Sequence, residues 1–176
     1  MEHEIRLYWA DVRNVDDVRF EQLWEQVNQQ TKNRTNLYMN YEDRVLTLCA
    51  GYLLKEQELF YDCNGKPCGE NVYVSISHTY PYCVVCVSDF PCGVDVERAD
   101  RDCMRQVHRV CTDGEKEMLT TQNCVELWCL KEALFKCFGL PVTADSREYT
   151  YQKANIPGCC CVVVGEGFLV ENKTDI

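Results

Sequence analysis

The stretch CGVDVE at residues 92–97, together with LWCLKEALFK at residues 127–136, sets three carboxylates and two lysines in otherwise apolar surroundings. Removing a charged group from water is costly unless the charge is paired or bound to something. The two stretches therefore predict a binding site, and a metal ion together with a phosphate is the ligand pair that suits these side chains.

The first stretch reads as a strand in which Asp95 and Glu97 lie two residues apart. Side chains at this spacing leave the same face of a strand, so both carboxylates can converge on one cation. Mg²⁺ is commonly held by one or two carboxylates with phosphate oxygens and waters. The alternative is a solvated sheet face that bears two acids, with Val94 and Val96 facing the core.

The second stretch belongs to the strongest predicted helix, from Val125 to Phe138, in which ten of fourteen residues are apolar. Glu132 and Lys136 lie one turn apart on the same side of this helix. An ordinary surface ion pair would give the same spacing. We favour a cleft wall, because a solvated pair normally shares its face with other polar residues.

Composition restricts the classes of protein and of partner. The chain has 176 residues, 46% of them hydrophobic, which is ample for a packed core in one domain or two small halves. The net charge of −10 argues against nucleic acid as a partner. Because the charged segment 1–6 predicts neither a secretory signal nor a spanning helix, we expect a cytoplasmic protein that does not enter membranes.

Fourteen cysteines are expected to be reduced core residues rather than disulfides or zinc ligands. Cys83 and Cys86 have a spacing that occurs in zinc sites, but they fall in a predicted strand. Residues three apart in a strand point to opposite faces, so the two thiols should not chelate one ion.

Hydrophobic periodicity and turn residues predict the other elements. Asn14 or Asp16 is expected to cap the first helix, Thr112 and Glu115 to form a capping box, and Gly139 to end the last helix. Residues 32–34 and 63–67 are expected in turns, and His78 with its neighbour Ser77 between two strands. Helices are predicted at 15–29, 41–55, 112–119 and 125–138, and strands at 5–10, 72–76, 83–88, 92–97, 148–152, 159–164 and 167–170.

The motifs at residues 93–97 and 128–136 resemble the two signature motifs of the 4′-phosphopantetheinyl transferase superfamily. Residues 65–67 and 76–79 are similar to further motifs of its surfactin-type subgroup, and the four occur in the family's order. The resemblance implies an α+β fold of two similar halves related by pseudo-twofold symmetry, each a small, mainly antiparallel sheet packed with helices. The halves are expected at residues 1–90 and 91–176, with the active cleft between them.

The resemblance also implies an activity, which is Mg²⁺-dependent transfer of the 4′-phosphopantetheine group of coenzyme A to a serine of an apo acyl, peptidyl or polyketide carrier protein. Asp95, Glu97 and Glu132 match the metal ligands, and Glu132 and Lys136 match the catalytic pair. The resemblance implies that Lys136, Ser77 and His78 contact phosphate and that Lys131 adds to the positive charge of the cleft. The other implied contacts with coenzyme A are Lys66 and Pro67 on the adenine side, and Arg44 and Lys32 at the 3′-phosphate. A chain with its cleft between two halves is expected to act as a monomer.

Three other interpretations stay open on sequence alone. One is a degenerate homologue that binds coenzyme A or a carrier protein without transfer. Another is a different magnesium-dependent nucleotide or diphosphate enzyme, although the chain has no Walker-type phosphate loop. The last is a cysteine-rich metal-binding module, which zinc analysis would reveal. The pathway of the carrier is not specified by the sequence, since a fold does not fix a substrate.

Overall fold

The structure is a computed structural model that describes residues 3–57, 59–62 and 65–176. Along the described part of the chain, one strand is followed by three helices, five strands, three helices and three strands. The strands are β1 Glu4–Asp11, β2 Leu59–Tyr61, β3 Pro67–Gly69, β4 Tyr73–Thr79, β5 Tyr82–Ser88, β6 Cys92–Arg98, β7 Gln152–Ala154, β8 Cys159–Gly165 and β9 Phe168–Lys173. The helices are α1 Asp17–Gln26, α2 Gln29–Thr35, α3 Tyr41–Leu53, α4 Met104–Val110, α5 Asp113–Lys116 and α6 Cys124–Phe138.

The strands form three small sheets. The largest has the order β4-β5-β1-β9, a second has the order β6-β8-β7, and β2 and β3 form a hairpin. Every pairing is antiparallel except that of β1 with β9. The predicted α+β class, with small and mainly antiparallel sheets packed with helices, is thereby confirmed.

The pseudo-twofold relation and the division at residue 90 stay predictions. The structure adds that β9, from the C-terminal part of the chain, pairs in parallel with β1, with Ile5 opposite Leu169. The C-terminal residues thus complete the N-terminal sheet.

The core is layered on both faces of the large sheet. One cluster lies between this sheet and helices α1 and α3, and a second lies between the opposite face and strands β6 and β8. A third cluster packs α6 and α4 against the far side of β8. Strand β5 is buried on both faces, with Cys83 in the first cluster and Cys86 in the second. The prediction that these two thiols face apart is confirmed.

Helix termini agree with the capping residues read from the sequence. The Asp16 carboxylate accepts a hydrogen bond from the backbone of Arg19 at the start of α1. Thr112 and Glu115 form the reciprocal capping box of α5. Helix α6 ends at Gly139, whose φ of 71° is in the left-handed region that favours glycine.

Several expected elements were wrong. Residues 32–34, expected in a turn, lie in α2, which Asn28 caps, and α4 was not expected. Of the strand expected at 148–152, only Gln152 lies in a strand, because β7 runs from Gln152 to Ala154. The turn expected at 63–67 includes residues 63 and 64, which lie outside the described residues, and its end begins β3.

Ser77 and His78 lie within β4 rather than between two strands. The β4–β5 ladder continues to the pair formed by Thr79 and Tyr82, so only Tyr80 and Pro81 remain for the hairpin turn. Because side chains alternate along the longer strand, Ser77 is buried while His78 is exposed.

Gly93 lets α6 pack directly on β6. A Cβ at this position would clash with the carbonyl oxygen of Ala133 and lie 2.8 Å from the amide nitrogen of Cys137. Both obstacles are backbone atoms of the helix, so a side chain at residue 93 requires α6 to move. Close approach of this kind is a common reason for glycine within a strand.

We therefore expect Gly93→Ala to destabilise the protein by about 3 kcal/mol, the upper end of ordinary overpacking. Urea unfolding measures this change. Gly114→Ala is the matched control, because the obstacle there is the movable guanidinium of Arg147. Equal stability of the two variants would contradict the close packing at Gly93.

Candidate functional site

Asp95 is the centre of a polar network at the junction of β4, β6 and α6. This residue is only 5% exposed. Oδ1 accepts hydrogen bonds from the Ser77 hydroxyl at 2.9 Å and from Lys136 Nζ at 2.7 Å. Among the described residues, Oδ2 is buried with no hydrogen-bond partner. A buried carboxylate oxygen without a partner is unfavourable, so this atom is available for a ligand.

Serine hydroxyls hold β4 beside β6. Ser75 Oγ accepts a hydrogen bond from the backbone N–H of Val94 at 3.1 Å, and Ser77 Oγ accepts one from Val96 at 3.2 Å. Ser77 thus accepts from the strand backbone and donates to Asp95, which fixes its hydroxyl. Alternate residues of β4 can make these contacts because they share a face.

Glu97 lies half-buried two residues further along β6. Burial raises the pKa of this carboxyl, the positive charge of Arg101 opposes that rise, and the negative charge of Asp95 adds to it. Arg101 forms an ion pair with Glu97, and its guanidinium lies 5.7 Å from the ring centroid of Trp128.

Glu132 enters the site from α6, one turn before Lys136. Burial raises its pKa, and the charge of Asp95 raises it further, whereas the charge of Lys136 lowers it. No hydrogen bond to the Glu132 side chain is found within the described ranges. The Glu132 carboxylate is therefore partly removed from water, feels the negative charge of Asp95 and, among the described residues, has no hydrogen-bond donor.

The three acids suit a hard divalent cation in their chemistry. All are carboxylates, the ligands that Mg²⁺ prefers, and Asp95 has the buried oxygen without a partner. Asp95 also raises the pKa of the other two, which is the repulsion that a bound cation would relieve. However, no group of three histidine, cysteine or acidic side chains in the described part of the chain is already arranged to hold a metal ion.

A cavity of about 320 Å³ borders this network. Four of the residues predicted for the site line it, namely Pro67, Ser77, His78 and Lys136. Its wall also includes Arg34 and the aromatic side chains of Tyr38 and Tyr61. Although the imidazole of His78 is exposed, its partial desolvation lowers the pKa, which the charge of Asp43 opposes.

Arg34 was not among the expected site residues. Its guanidinium lies 4.1 Å from the ring centroid of Tyr61, which directs this cation into the cavity wall. The available signal was the cap at Asn28 followed by Thr31 and Thr35. Their four-residue spacing is helical, and both threonines are buried.

Lys66 lies at the rim of the same region. Its Nζ donates to the carbonyl oxygen of Lys136 at 3.0 Å, near the end of α6. A neighbouring cavity of about 400 Å³ includes Lys66 and Pro67 together with Phe135 and Lys136. The hairpin formed by β2 and β3 is thus brought next to the end of α6.

Three other predicted contacts lie apart from these cavities. Lys32 Nζ is 5.6 Å from the ring centroid of Trp24, and the Arg44 guanidinium is 5.2 Å from that of Phe20. Lys131 is only 1% exposed, and its ammonium is used inside the protein. The structure thus gives Lys131 an internal role instead of the expected exposure to the cofactor.

Lys131 belongs to a buried cluster around Glu115. Its Nζ donates to Glu115 Oε2 at 2.9 Å and to the carbonyl oxygen of Ala144 at 2.8 Å. The backbone N–H groups of Thr112 and Ser146 donate to the same carboxylate at 2.7 and 2.9 Å. These bonds connect α6 with α5 and with the loop after α6. The residue of α6 that makes them, Lys131, is the neighbour of Glu132 in the sequence.

Glu115 should make the protein's stability depend on pH. Burial alone would raise its pKa, but the hydrogen bonds from Ser146, Lys131 and Thr112 outweigh burial and lower the pKa to about 2. A carboxyl with a depressed pKa stabilises the fold above its unfolded value, near 4.5, and this contribution is lost as the pH falls through the folded value.

We therefore expect the free energy of unfolding to fall by about 3 kcal/mol between pH 5 and pH 2 from this group. Urea unfolding at several pH values in that range measures the slope of the unfolding free energy against pH. Glu115→Gln should flatten it, whereas the exposed Glu117→Gln should not. An unchanged slope in Glu115→Gln would contradict the assignment.

None of the helices in the described ranges combines the length and the apolar character that a bilayer span requires.

No curated protein matches the chain. A family model does match it, and the matched residues, 91–157, run from the start of β6 past β7 and include Asp95, Glu97, Glu132 and Lys136. This match supports the superfamily indicated by the sequence motifs. The segment that carries the acids of the site is similar to the 4′-phosphopantetheinyl transferase superfamily.

Proposed function

We propose that this protein transfers the 4′-phosphopantetheine group of coenzyme A to a serine hydroxyl of an apo carrier protein and releases adenosine 3′,5′-bisphosphate. The observation that carries the proposal is the connection of Asp95 to Ser77 and Lys136 beside a cavity with a cationic wall. This arrangement combines acids for a cation with donors for a phosphate. The surfactin-type subgroup, a monomeric state and a cytoplasmic location belong to the same proposal.

The cofactor would bind along the cavity by its anionic groups. Lys136, His78 and Ser77 are proposed to contact the diphosphate, and Lys66 and Pro67 to line the adenine side. Arg34 joins these groups as a further cation in the wall. Lys32 and Arg44 remain proposed contacts for the 3′-phosphate, whereas the burial of Lys131 does not support a contact there. A local cationic wall allows an acidic protein to bind an anionic cofactor.

Asp95, Glu97 and Glu132 are proposed to hold Mg²⁺. The unpartnered Oδ2 of Asp95 and the mutual repulsion of the acids support this donor set. When bound, the ion would neutralise charge on the diphosphate oxygens, which is the main requirement of phosphoryl-type transfer.

Glu132 is proposed to be the general base. The serine oxygen attacks the phosphorus that bears pantetheine, and the bond from that phosphorus to the bridging oxygen breaks. Glu132 accepts the serine proton, while Lys136 stabilises negative charge on the transferred phosphate. A carboxylate with a raised pKa and no fixed donor is suited to accept a proton.

The carrier protein is proposed to dock on α4. Carriers are usually acidic, and α4 exposes Arg105, His108 and Arg109 although the chain as a whole has a charge of −10. Neither arginine forms an ion pair with any residue that the structure describes. Because Arg101 pairs with Glu97 and also donates to the side chain of Gln106 in α4 at 3.0 Å, a carrier bound on α4 would lie near the acids of the site.

Charge reversal of Arg105 and Arg109 to Glu should raise the KM for the carrier about tenfold and leave the KM for coenzyme A unchanged, because rim charges act mainly on association. Initial rates at varied carrier and coenzyme A concentrations separate the two constants. Lys55→Glu, on an exposed residue after α3, is the control. An unchanged KM for the carrier would remove α4 from the docking surface.

The proposed function is tested by the intact mass of apo carrier proteins incubated with this protein, coenzyme A and Mg²⁺, with a parallel reaction in EDTA. We expect a gain of one phosphopantetheine group that EDTA prevents. Binding of coenzyme A without any gain on a panel of acyl, peptidyl and polyketide carriers would favour the degenerate homologue. Absence of both binding and transfer would overturn the assignment.

A further inference from the structure

The cysteines of this chain form neighbouring pairs. The thirteen that the structure describes are all free thiols. Among them, four pairs are in side-chain contact: Cys49 with Cys83, Cys86 with Cys92, Cys103 with Cys124, and Cys129 with Cys160. The proposed transfer reaction uses none of these thiols.

The Cys86–Cys92 pair has a direct sulfur-to-sulfur contact. The two Sγ atoms lie 3.4 Å apart, and Cys92 Sγ is also 3.6 Å from the carbonyl oxygen of Tyr73. Cys86 lies near the end of β5, and Cys92 is the first residue of β6. A disulfide requires a separation of about 2.05 Å, so the sulfurs need to approach by little more than about 1 Å.

The two sulfurs differ in their access to small molecules. Cys92 lines a cavity of about 530 Å³, whereas Cys86 is fully buried behind it. A small oxidant can therefore reach Cys92 first. Cys49 and Cys83 offer an internal comparison, since they also form a pair but both are 0% exposed.

We propose that Cys92 and Cys86 form a dithiol that hydroperoxides oxidise reversibly, with Cys92 as the attacking sulfur and Cys86 as the resolving one. The Cys92 sulfur attacks a peroxide oxygen and the O–O bond breaks, which gives a sulfenic acid on Cys92 and, with hydrogen peroxide, one water. The Cys86 thiol then attacks the sulfur of this sulfenic acid and expels a second water. Two thiols are oxidised by two electrons and the peroxide is reduced, so the reaction is balanced.

The experiment exposes the reduced protein to dilute hydrogen peroxide under native conditions, blocks the remaining thiols after unfolding, and maps the peptides of an Asp-N digest by mass. Asp-N cleaves before Asp89, between the two cysteines, so their disulfide joins two peptides. We expect a Cys86–Cys92 disulfide that dithiothreitol removes, with Cys49 and Cys83 still reduced. Cys92 left as a free thiol, or oxidation of Cys49 and Cys83 at the same rate, would overturn the proposal.

Two variants test the order of the steps. Cys86→Ala lacks the resolving thiol, so Cys92 should accumulate as a sulfenic acid that dimedone labels. Cys92→Ser keeps an oxygen atom in the place of the sulfur, so Cys86 stays shielded from the cavity and should remain reduced. Labelling of Cys86 in Cys92→Ser at the rate seen for Cys92 in Cys86→Ala would contradict the assigned order. The mapping of the unmodified protein stands even if a variant fails to fold.

Discussion

Replacing Glu132 with Gln is expected to lower kcat for transfer by about 10²–10⁴-fold and to leave the fold intact. Gln has nearly the same shape as Glu but cannot accept the serine proton, and general base catalysis contributes a factor of that size. The substitution also removes one of the three proposed metal ligands. Loss of a half-buried charge that sits near Asp95 should not destabilise the protein, because burial and the charge of Asp95 both disfavour the ionised form.

Single-turnover transfer to an apo carrier, followed by intact mass, measures this change. Glu117→Gln serves as the control, because Glu117 is an exposed acid outside the site. The urea midpoint of neither variant should fall below that of the unmodified protein. Transfer by Glu132→Gln at the original rate would exclude Glu132 as the base.

Replacing Lys131 with Met is expected to destabilise the protein by about 3–5 kcal/mol. Removing one partner of a buried ion pair leaves the other charge without compensation, and such losses are of this size. Glu115 would keep its hydrogen bonds from Thr112 and Ser146, but its charge would remain in a site that is 2% exposed.

A double variant, Glu115→Gln with Lys131→Met, separates charge from packing. It should be more stable than Lys131→Met alone, because neither position then carries an unpaired charge. Lys153→Met breaks the more exposed pair with Glu126 and should change the stability by less than about 1 kcal/mol. Urea unfolding measures all three variants. If Lys131→Met and Lys153→Met lost the same stability, the buried pair would have no special role.

The sequence was sufficient to predict the strands and helices whose apolar residues recur with a clear period. Strand β6 follows the alternation around Asp95 and Glu97, and α6 follows an apolar pattern that Gly139 ends. Both are recognisable because the local pattern and the packing agree. The opposed faces of Cys83 and Cys86 were predictable for the same reason.

What could not be predicted depends on contacts between distant residues. Helix α2 buries two threonines instead of an apolar stripe, so hydrophobic periodicity does not predict it and Arg34 was missed with it. The ion pair of Lys131 joins residues 16 positions apart, so nothing next to this lysine in the sequence showed that it is buried. From sequence alone, Lys131 is therefore predicted to face the cleft.

The parallel pairing of β9 with β1 has a consequence for how the protein is made. During synthesis, residues 4–9 can pair with β5 long before they can pair with a strand on their other edge. The strand on that edge is formed by residues 168–173. Until then the outer edge of β1 has unpaired N–H and C=O groups, which can pair with another nascent chain. Folding on the ribosome is thus incomplete at the first strand until nearly all of these 176 residues have been translated. Slow translation would prolong that exposure.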